Sequence, residues 1–170
     1  MVRTISKSPN GLFSVIIDPV NSIETALETG RFNSVSRWIL EDYNRVPLVQ
    51  TTERKRIYFV PMIDSVSSGK EELYVSKFNL VLCENTPNYL LGAMVNLKER
   101  DLPEELDGKG IIAIDRNTNT VFESEFYDRC TLHVCRKSSQ RRLRLCGLDF
   151  NWEVERGLML LAEEPKYYYN

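Results

Sequence analysis

The chain has 170 residues, of which 42% are apolar and 27% are charged, a balance typical of one globular domain of ordinary size. It carries 22 Lys and Arg against 24 Asp and Glu, so its net charge is −2. This near-neutral total excludes a protein that neutralises a polyanion over its whole surface, and the apolar content excludes a disordered chain.

The two ends of the chain predict the domain limits. Residues 1–10 are polar and no apolar run follows them, so we expect a flexible arm rather than a signal peptide. Residues 11–164 are the predicted single globular domain, and residues 165–170 are a tyrosine-rich tail. Since a membrane-spanning helix needs about 20 apolar residues, we expect no transmembrane span and a cytoplasmic location, with a peripheral membrane location as the open alternative.

The first third of the chain predicts one strand and two short helices. The strand covers Leu12 to Ile17. The first helix follows a capping-box pattern, in which Asn21 caps the helix and Glu24 reaches back, and it ends at Gly30. The second helix is capped by Asn33 or Ser34, ends near Asn44 and Pro47, and has an apolar stripe formed by Val35, Trp38, Ile39 and Tyr43.

The middle of the chain predicts β-structure. Residues 56–63 favour a strand, and Pro61 indicates an edge or a bulge because proline cannot donate to a ladder. Residues 67–72 are typical of a turn, and residues 73–83 alternate as a bulged or bent strand would. Residues 87–97 fit either a helix beginning at Pro87 or a strand, and both alternatives stay open.

The last third predicts two β-hairpins and a closing segment. The first hairpin joins residues 110–115 to 120–127, and the second joins residues 129–136 to 141–150. Residues 152–162 close the core as a strand or a short helix. The predicted fold class is therefore α+β, mainly antiparallel β, with two short N-terminal helices followed by a six- to eight-stranded sheet or sandwich.

The four cysteines do not predict a metal site. In a chain without a secretion signal we expect free thiols. If Arg136 pairs with Arg141, then Cys135 lies opposite Arg142 and Cys146 lies opposite Thr131. Cys135 and Cys146 are then about 13 Å apart along the strands, whereas zinc ligands must converge on one ion. Cys130 and His133 also point to opposite faces, so we expect no metal and no cofactor. The four cysteines are Cys83, Cys130, Cys135 and Cys146.

Three carboxylates form the weaker alternative of a metal-dependent nuclease. Asp115 ends one predicted strand, while Glu123 and Glu125 share a face of its predicted partner. Such centres need two or more carboxylates around a divalent cation. The simpler interpretation is that Asp115 bonds the backbone near a turn and that the two glutamates face solvent.

A basic hairpin is the strongest functional signal in the sequence. Residues 129–148 carry six Lys and Arg and no acid, so the other 150 residues carry a net charge of −8. Alternation places Leu132, Val134, Leu143 and Leu145 on the core face. The predicted anion-binding residues are on the solvent face and at the tip of this hairpin. A second basic run, at the start of the strand with Pro61, extends the patch if the edges of that strand and of the hairpin lie together. The full set is Arg136, Lys137, Arg141, Arg142, Arg144, Arg54, Lys55 and Arg56.

The sequence therefore predicts a non-enzymatic binding or assembly protein. Its partner is an anionic surface: RNA or DNA, lipid headgroups or an acidic protein. The alternative is a self-associating structural protein, of the type of a virus-encoded matrix or accessory protein, that uses the arm, the strand with Pro61 and the tail from Tyr167 to Tyr169.

Overall fold

The computed structural model describes residues 6–8, 11–41, 45–64, 66–67, 69–97, 109–116, 129–137, 140–148 and 157–166. These residues form four helices and a nine-stranded sheet. The prediction of an α+β chain rich in strands is confirmed. The prediction of an antiparallel sheet is right only in part, because β-strands that are distant in sequence also pair in parallel.

The bounds of the elements are as follows. The helices are α1 Ile23–Thr29, α2 Arg37–Glu41, α3 Glu71–Ser76 and α4 Thr86–Asn96. The strands are β1 Ser6–Lys7, β2 Phe13–Ile17, β3 Ser34–Val35, β4 Lys55–Pro61, β5 Val81–Leu82, β6 Gly110–Ile112, β7 Cys130–Lys137, β8 Gln140–Gly147 and β9 Leu158–Glu163.

The strand order across the sheet is β1-β2-β4-β9-β6-β7-β8-β3, and β5 pairs with β9 beyond the end of β6. The pairs β6–β9 and β3–β8 are parallel and the others are antiparallel. Local alternation could not reveal these parallel pairs, since each joins segments separated by many residues. The sheet is therefore mixed.

The last strand, β9, lies at the centre of the sheet. All six of its residues are buried, and the run from Leu158 to Ala162 is continuously apolar. Such a run is typical of a strand covered on both faces. Met159 and Leu161 belong to a core with α1, α2 and α4, whereas Leu158 and Leu160 belong to a second core with α3 on the other face.

Helix α4 is the most deeply buried helix of the described chain. Nine of its residues, from Thr86 to Met94, are buried, so the ambiguity between helix and strand is resolved in favour of a helix with proline in its first turn. Asn88 is also buried, and its side chain donates to the backbone oxygens of Val20 and Val49. A polar residue is tolerated there because its hydrogen bonds are made.

Helix α1 confirms the predicted first helix but not its cap. Ser22, not Asn21, accepts a hydrogen bond from the backbone N–H of Thr25. The Asn21 side chain instead donates to the backbone oxygen of Thr51 at 2.8 Å. Gly30 ends the helix as predicted. Helix α2 contains Trp38 and Ile39 as predicted, but Ser34 and Val35 lie before it in β3.

The predicted strand over residues 73–83 is wrong. The chain forms α3, then a turn in which Asn79 has a φ of 58°, and only Val81–Leu82 are extended. The buried residues Glu71, Tyr74 and Val75 have helical spacing, so the break in alternation was the sign of a helix rather than of a bulge.

Two predictions about strand partners are also wrong. The strand with Pro61 is neither an edge nor bulged, because β4 lies between β2 and β9 and its register with both strands is continuous. Pro61 is tolerated because it is the last residue of β4, beyond the final β2 pair of Phe13 with Phe59. Over residues 110–112, β6 pairs with β7 and β9, so both of its sides are occupied and no hairpin partner can pair there. Residues 120–127 lie outside the described residues.

Part of the predicted arm belongs to the sheet. Ser6 and Lys7 pair with Ser14 and Phe13 of β2. The remaining arm residues and the tail tyrosines Tyr167 to Tyr169 lie outside the described residues, apart from Ser8. Within the described ranges, none of the helices has the length and apolar character needed to cross a membrane.

Gly92 allows α4 to approach the segment that follows β2. A Cβ at this position would lie 2.3 Å from the backbone oxygen of Asp18 and 2.8 Å from Ile17 Cγ2.

We expect Gly92→Ala to lower the free energy of unfolding by about 1–3 kcal/mol because the backbone must shift. Urea denaturation followed by circular dichroism measures this. The exposed control Glu28→Ala stays within about 0.5 kcal/mol; equal stabilities of all three proteins would refute the close approach.

Candidate anion-binding hairpin

The predicted register of the basic hairpin is confirmed. Strands β7 and β8 pair Arg136 with Arg141, Cys135 with Arg142, and Thr131 with Cys146. The core face is confirmed as well, because Leu132, Val134 and Leu143 are buried among the helices; Leu145 packs against the same core and is partly buried.

Arg141 is not on the solvent surface, and its assignment to the anion-binding set is wrong. It is only 3% exposed. Its guanidinium donates to the backbone oxygens of Met94 at 2.7 Å and Leu97 at 2.6 Å, and to that of Gly30 at 3.5 Å. Its backbone N–H donates to Asn33 Oδ1 at 2.8 Å. Arg141 therefore joins β8 to the ends of two helices.

The position of Arg141 follows from electrostatics and from strand periodicity. The last carbonyl groups of a helix have no partner within the helix and carry partial negative charge, so a buried cation is stabilised there. Arg141 also has the same parity as Leu143 and Leu145, which places it on the core face. In the sequence, this alternation predicts a buried Arg141, whereas the charge of arginine favours an exposed position.

Arg142 and Arg144 lie on the opposite face of the hairpin, as predicted. Arg144 is exposed, and Arg142 is partly exposed and donates to Gln140 Oε1 at 3.0 Å. No carboxylate of the described residues forms an ion pair with either guanidinium. Arg136 and Lys137 end β7 next to them, but their side chains lie outside what the structure describes. Arg142 and Arg144 are called the outer arginines below.

The second basic run does not join this surface. The register across β4, β9, β6, β7 and β8 places Lys55 about eight residues along the strands from Arg141, which is roughly 26 Å. Arg54 lies 3.4 Å from Asp18 Oδ1, and Arg56 donates to Ser14 Oγ. Arg54, Lys55 and Arg56 are thus at the other end of the sheet.

Lys55 is itself a buried structural residue. Its Nζ lies 2.8 Å from Glu163 Oε2, both side chains are 7% exposed, and the Tyr89 ring centroid is 5.3 Å from Nζ. Burial alone lowers the pKa of Lys55, but the Glu163 carboxylate outweighs it, so the pKa is raised. Lys55 shares the inward parity of Ile57 and Phe59, and it cannot meet an external anion.

His133 faces the outer arginines but is mostly covered. Its Nε2 is buried and has no hydrogen-bond partner in the described part of the chain. A Cβ at Gly110 would lie 2.3 Å from this nitrogen, so the glycine leaves room for the ring. Burial, and then the charge of Arg144 opposite it in the register, lower the pKa of His133 to about 4. The imidazole is therefore neutral at physiological pH.

The four cysteines are reduced and lie at scattered positions. Cys83 and Cys130 are buried, and Cys135 and Cys146 are partly exposed. Burial raises the pKa of Cys83 well above its ordinary value, which makes the thiol a poor nucleophile. Among the described residues, no three His, Cys, Asp or Glu side chains are grouped so that they could hold a metal ion.

Asp115 has a structural role. It is 4% exposed, and its carboxylate accepts the backbone N–H of Asn85 at 2.7 Å. Asn85 precedes α4 and has a φ of 56°, so this bond holds the turn that starts the helix. Glu123 and Glu125, the other carboxylates of the hypothetical nuclease centre, lie outside the described residues.

Comparisons of the chain with known protein families, with curated proteins and with solved structures found no match.

Replacing Arg141 should affect stability far more than replacing its neighbour on the outer face. We expect Arg141→Met to lower the free energy of unfolding by about 2–4 kcal/mol, because three buried carbonyl groups lose a donor. Arg144→Met should change it by less than about 0.5 kcal/mol. Urea denaturation measures both values. Equal losses in the two variants would contradict the buried position of Arg141.

His133 should make the folded state less stable in mild acid. The unfolded chain binds a proton near pH 6.5 and the folded chain near pH 4, so between these values the unfolded state holds more protons. The free energy of unfolding therefore falls as the pH is lowered through this window, by up to about 3 kcal/mol from this group.

The comparison that isolates His133 is His133→Gln. Subtracting the variant's stability profile from that of the native chain between pH 7 and pH 4 removes the contributions of other titrating groups. A difference that does not change with pH would show that His133 is freely protonated in the folded state.

Proposed function

We propose that this chain is a non-enzymatic binding protein that contacts an anionic partner through the outer arginines. The observation that carries the proposal is that Arg142 and Arg144 project from one face of a regular hairpin with no described carboxylate pairing them. Arg136 and Lys137 add two charges at the tip. Nucleic acid, an anionic membrane and an acidic protein are the three sources of the anion.

The hairpin supports this role because its outer arginines are mounted on a well-anchored element. Like charges on neighbouring positions of a sheet repel and cost stability unless a counter-charge meets them. The buried side of the hairpin is held by Leu132, Leu143 and Arg141, so the backbone below the outer arginines is fixed. A guanidinium fork presented in this way suits phosphate or carboxylate oxygens.

The expected mode of contact is with charged groups rather than with bases. No Phe, Tyr or Trp occurs between Arg129 and Leu148, and His133 Nε2 is buried, so base stacking of the kind used by RNA-recognition sheets has no platform there. Contacts with phosphates release counterions, and the affinity then falls steeply as salt is added. Salt dependence is therefore the main signature of the proposal.

The test is charge reversal at the outer arginines, Arg142→Glu with Arg144→Glu. Binding is measured by titration calorimetry at two salt concentrations to single-stranded RNA, duplex DNA, phosphatidylserine vesicles and polyglutamate. We expect at least one probe to bind, with affinity at least tenfold weaker for the variant. For a nucleic acid, replacing two phosphate contacts should reduce the salt slope by about 2.

The matched control is Arg54→Glu with Arg56→Glu, which makes the same charge change at the other end of the sheet. It should keep the native affinity within about twofold, and both variants should unfold as the native chain does. Equal weakening in the two variants would show a non-specific effect of net charge. Failure of all four probes to bind the native chain would refute the proposal.

A further inference from the structure

A second surface feature lies on the outer side of α3. It is an open depression of about 240 Å³, and it is called the α3 cavity below. This volume is below the roughly 300–1,000 Å³ of pockets for drug-sized ligands, so it suits a single large side chain. Its lining consists of Val66, Ser67, Lys70, Leu73, Tyr74 and Lys77.

The floor of the α3 cavity is apolar and fixed. Tyr74 is 4% exposed, and its hydroxyl donates to the backbone oxygen of Pro61 at 3.1 Å and accepts the backbone N–H of Ile63 at 2.9 Å. Its ring also packs against Phe78 with centroids 5.9 Å apart. Above this floor Leu73 is 67% exposed, more than any other large apolar side chain of the described residues.

The rim of the α3 cavity is positively charged. Lys70 and Lys77 are both exposed, and Lys77 Nζ lies 5.1 Å from the centroid of the Tyr74 ring. The acids of the same helix are turned away from it: Glu71 is 6% exposed, and Glu72 accepts the backbone N–H of Leu82. The outward face of α3 therefore combines one exposed leucine with two lysines.

We propose that the α3 cavity docks an acidic linear peptide of another protein, anchored by one large apolar side chain with a carboxylate on each side. Lys70 and Lys77 flank the six residues of α3 and are seven positions apart, which is about 10 Å along the axis. In an extended peptide the residues flanking the anchor are about 7 Å apart, and their side chains lengthen that span. The two carboxylates thus reach the two lysines while the anchor covers Leu73 and Tyr74.

The test uses the acetylated and amidated peptide Gly-Glu-Leu-Glu-Gly, titrated into uniformly ¹⁵N-labelled full-length chain and followed by amide NMR. We expect shifts confined to residues 62–78. The matched peptides Gly-Glu-Ala-Glu-Gly and Gly-Gln-Leu-Gln-Gly should each bind at least about tenfold more weakly. The first lacks the large apolar anchor, and the second lacks the two carboxylates.

Protein variants locate the site. Lys70→Glu with Lys77→Glu should weaken peptide binding at least tenfold, whereas Lys7→Glu should leave it unchanged within twofold. Lys7→Glu makes the charge change of one of the two reversals, and Lys7 is the control because its Nζ also lies over an aromatic ring, that of Phe13, at 5.5 Å. Leu73→Ala should weaken binding without a change in charge.

Several results would overturn the inference. Equal binding of the alanine peptide would show that no apolar anchor is needed. Equal binding of the glutamine peptide would show that the two carboxylates are not recognised. Shifts in β7 and β8 instead would place acidic peptides on the hairpin, which supports the proposed function and refutes the α3 cavity. Binding of decanoate with no binding of the peptide would make the cavity a site for small amphiphiles.

Discussion

The buried guanidinium of Arg141 is the interaction on which the hairpin depends. It brings together β8, the last turn of α4 and the residue that ends α1, three segments that are far apart in the sequence. Asn33 adds a fourth attachment, because its backbone N–H donates to the Arg141 carbonyl oxygen and its Oδ1 accepts the Arg141 backbone N–H. A charge is tolerated in the interior because several carbonyl oxygens, at the negative end of a helix, replace its water.

This anchor divides the positive charges of one strand between two tasks. Arg141 faces inward and stabilises the fold, so its neighbour Arg142 faces outward, as does Arg144. The hairpin therefore presents less positive charge to a partner, because Arg141, one of the six Lys and Arg of residues 129–148, is buried. The division also orients the outer arginines, because the strand cannot rotate without breaking the bonds of Arg141. The same separation exists at the other end of the sheet, where Lys55 pairs with Glu163 and Arg54 and Arg56 face outward.

Local patterns predicted the hairpin well and the rest of the sheet poorly. The register of β7 with β8 followed from alternation around one short turn, and every predicted pair is present. The predicted exposure of Arg141 and Lys55 is wrong because a charged residue type favours the surface, whereas their strand parity with Leu143 and Ile57 places them on the core faces. The central position of β9 and the parallel pairs depend on contacts between distant segments, which no short pattern encodes. The buried residues of α3 have helical spacing, but a helix of six residues shows that spacing only once, so the broken alternation of residues 73–83 also fits a bulged strand.

The most direct test of this division is NMR of the arginine side-chain Nε–Hε groups, assigned with single Arg→Lys variants and recorded before and after adding the anionic probe that binds. We expect the Arg141 signal to exchange slowly with water and to keep its position, while the signals of Arg142 and Arg144 exchange rapidly and shift. An Arg141 signal that exchanges as fast as the other two, or that shifts with the probe as they do, would contradict the inward position of Arg141.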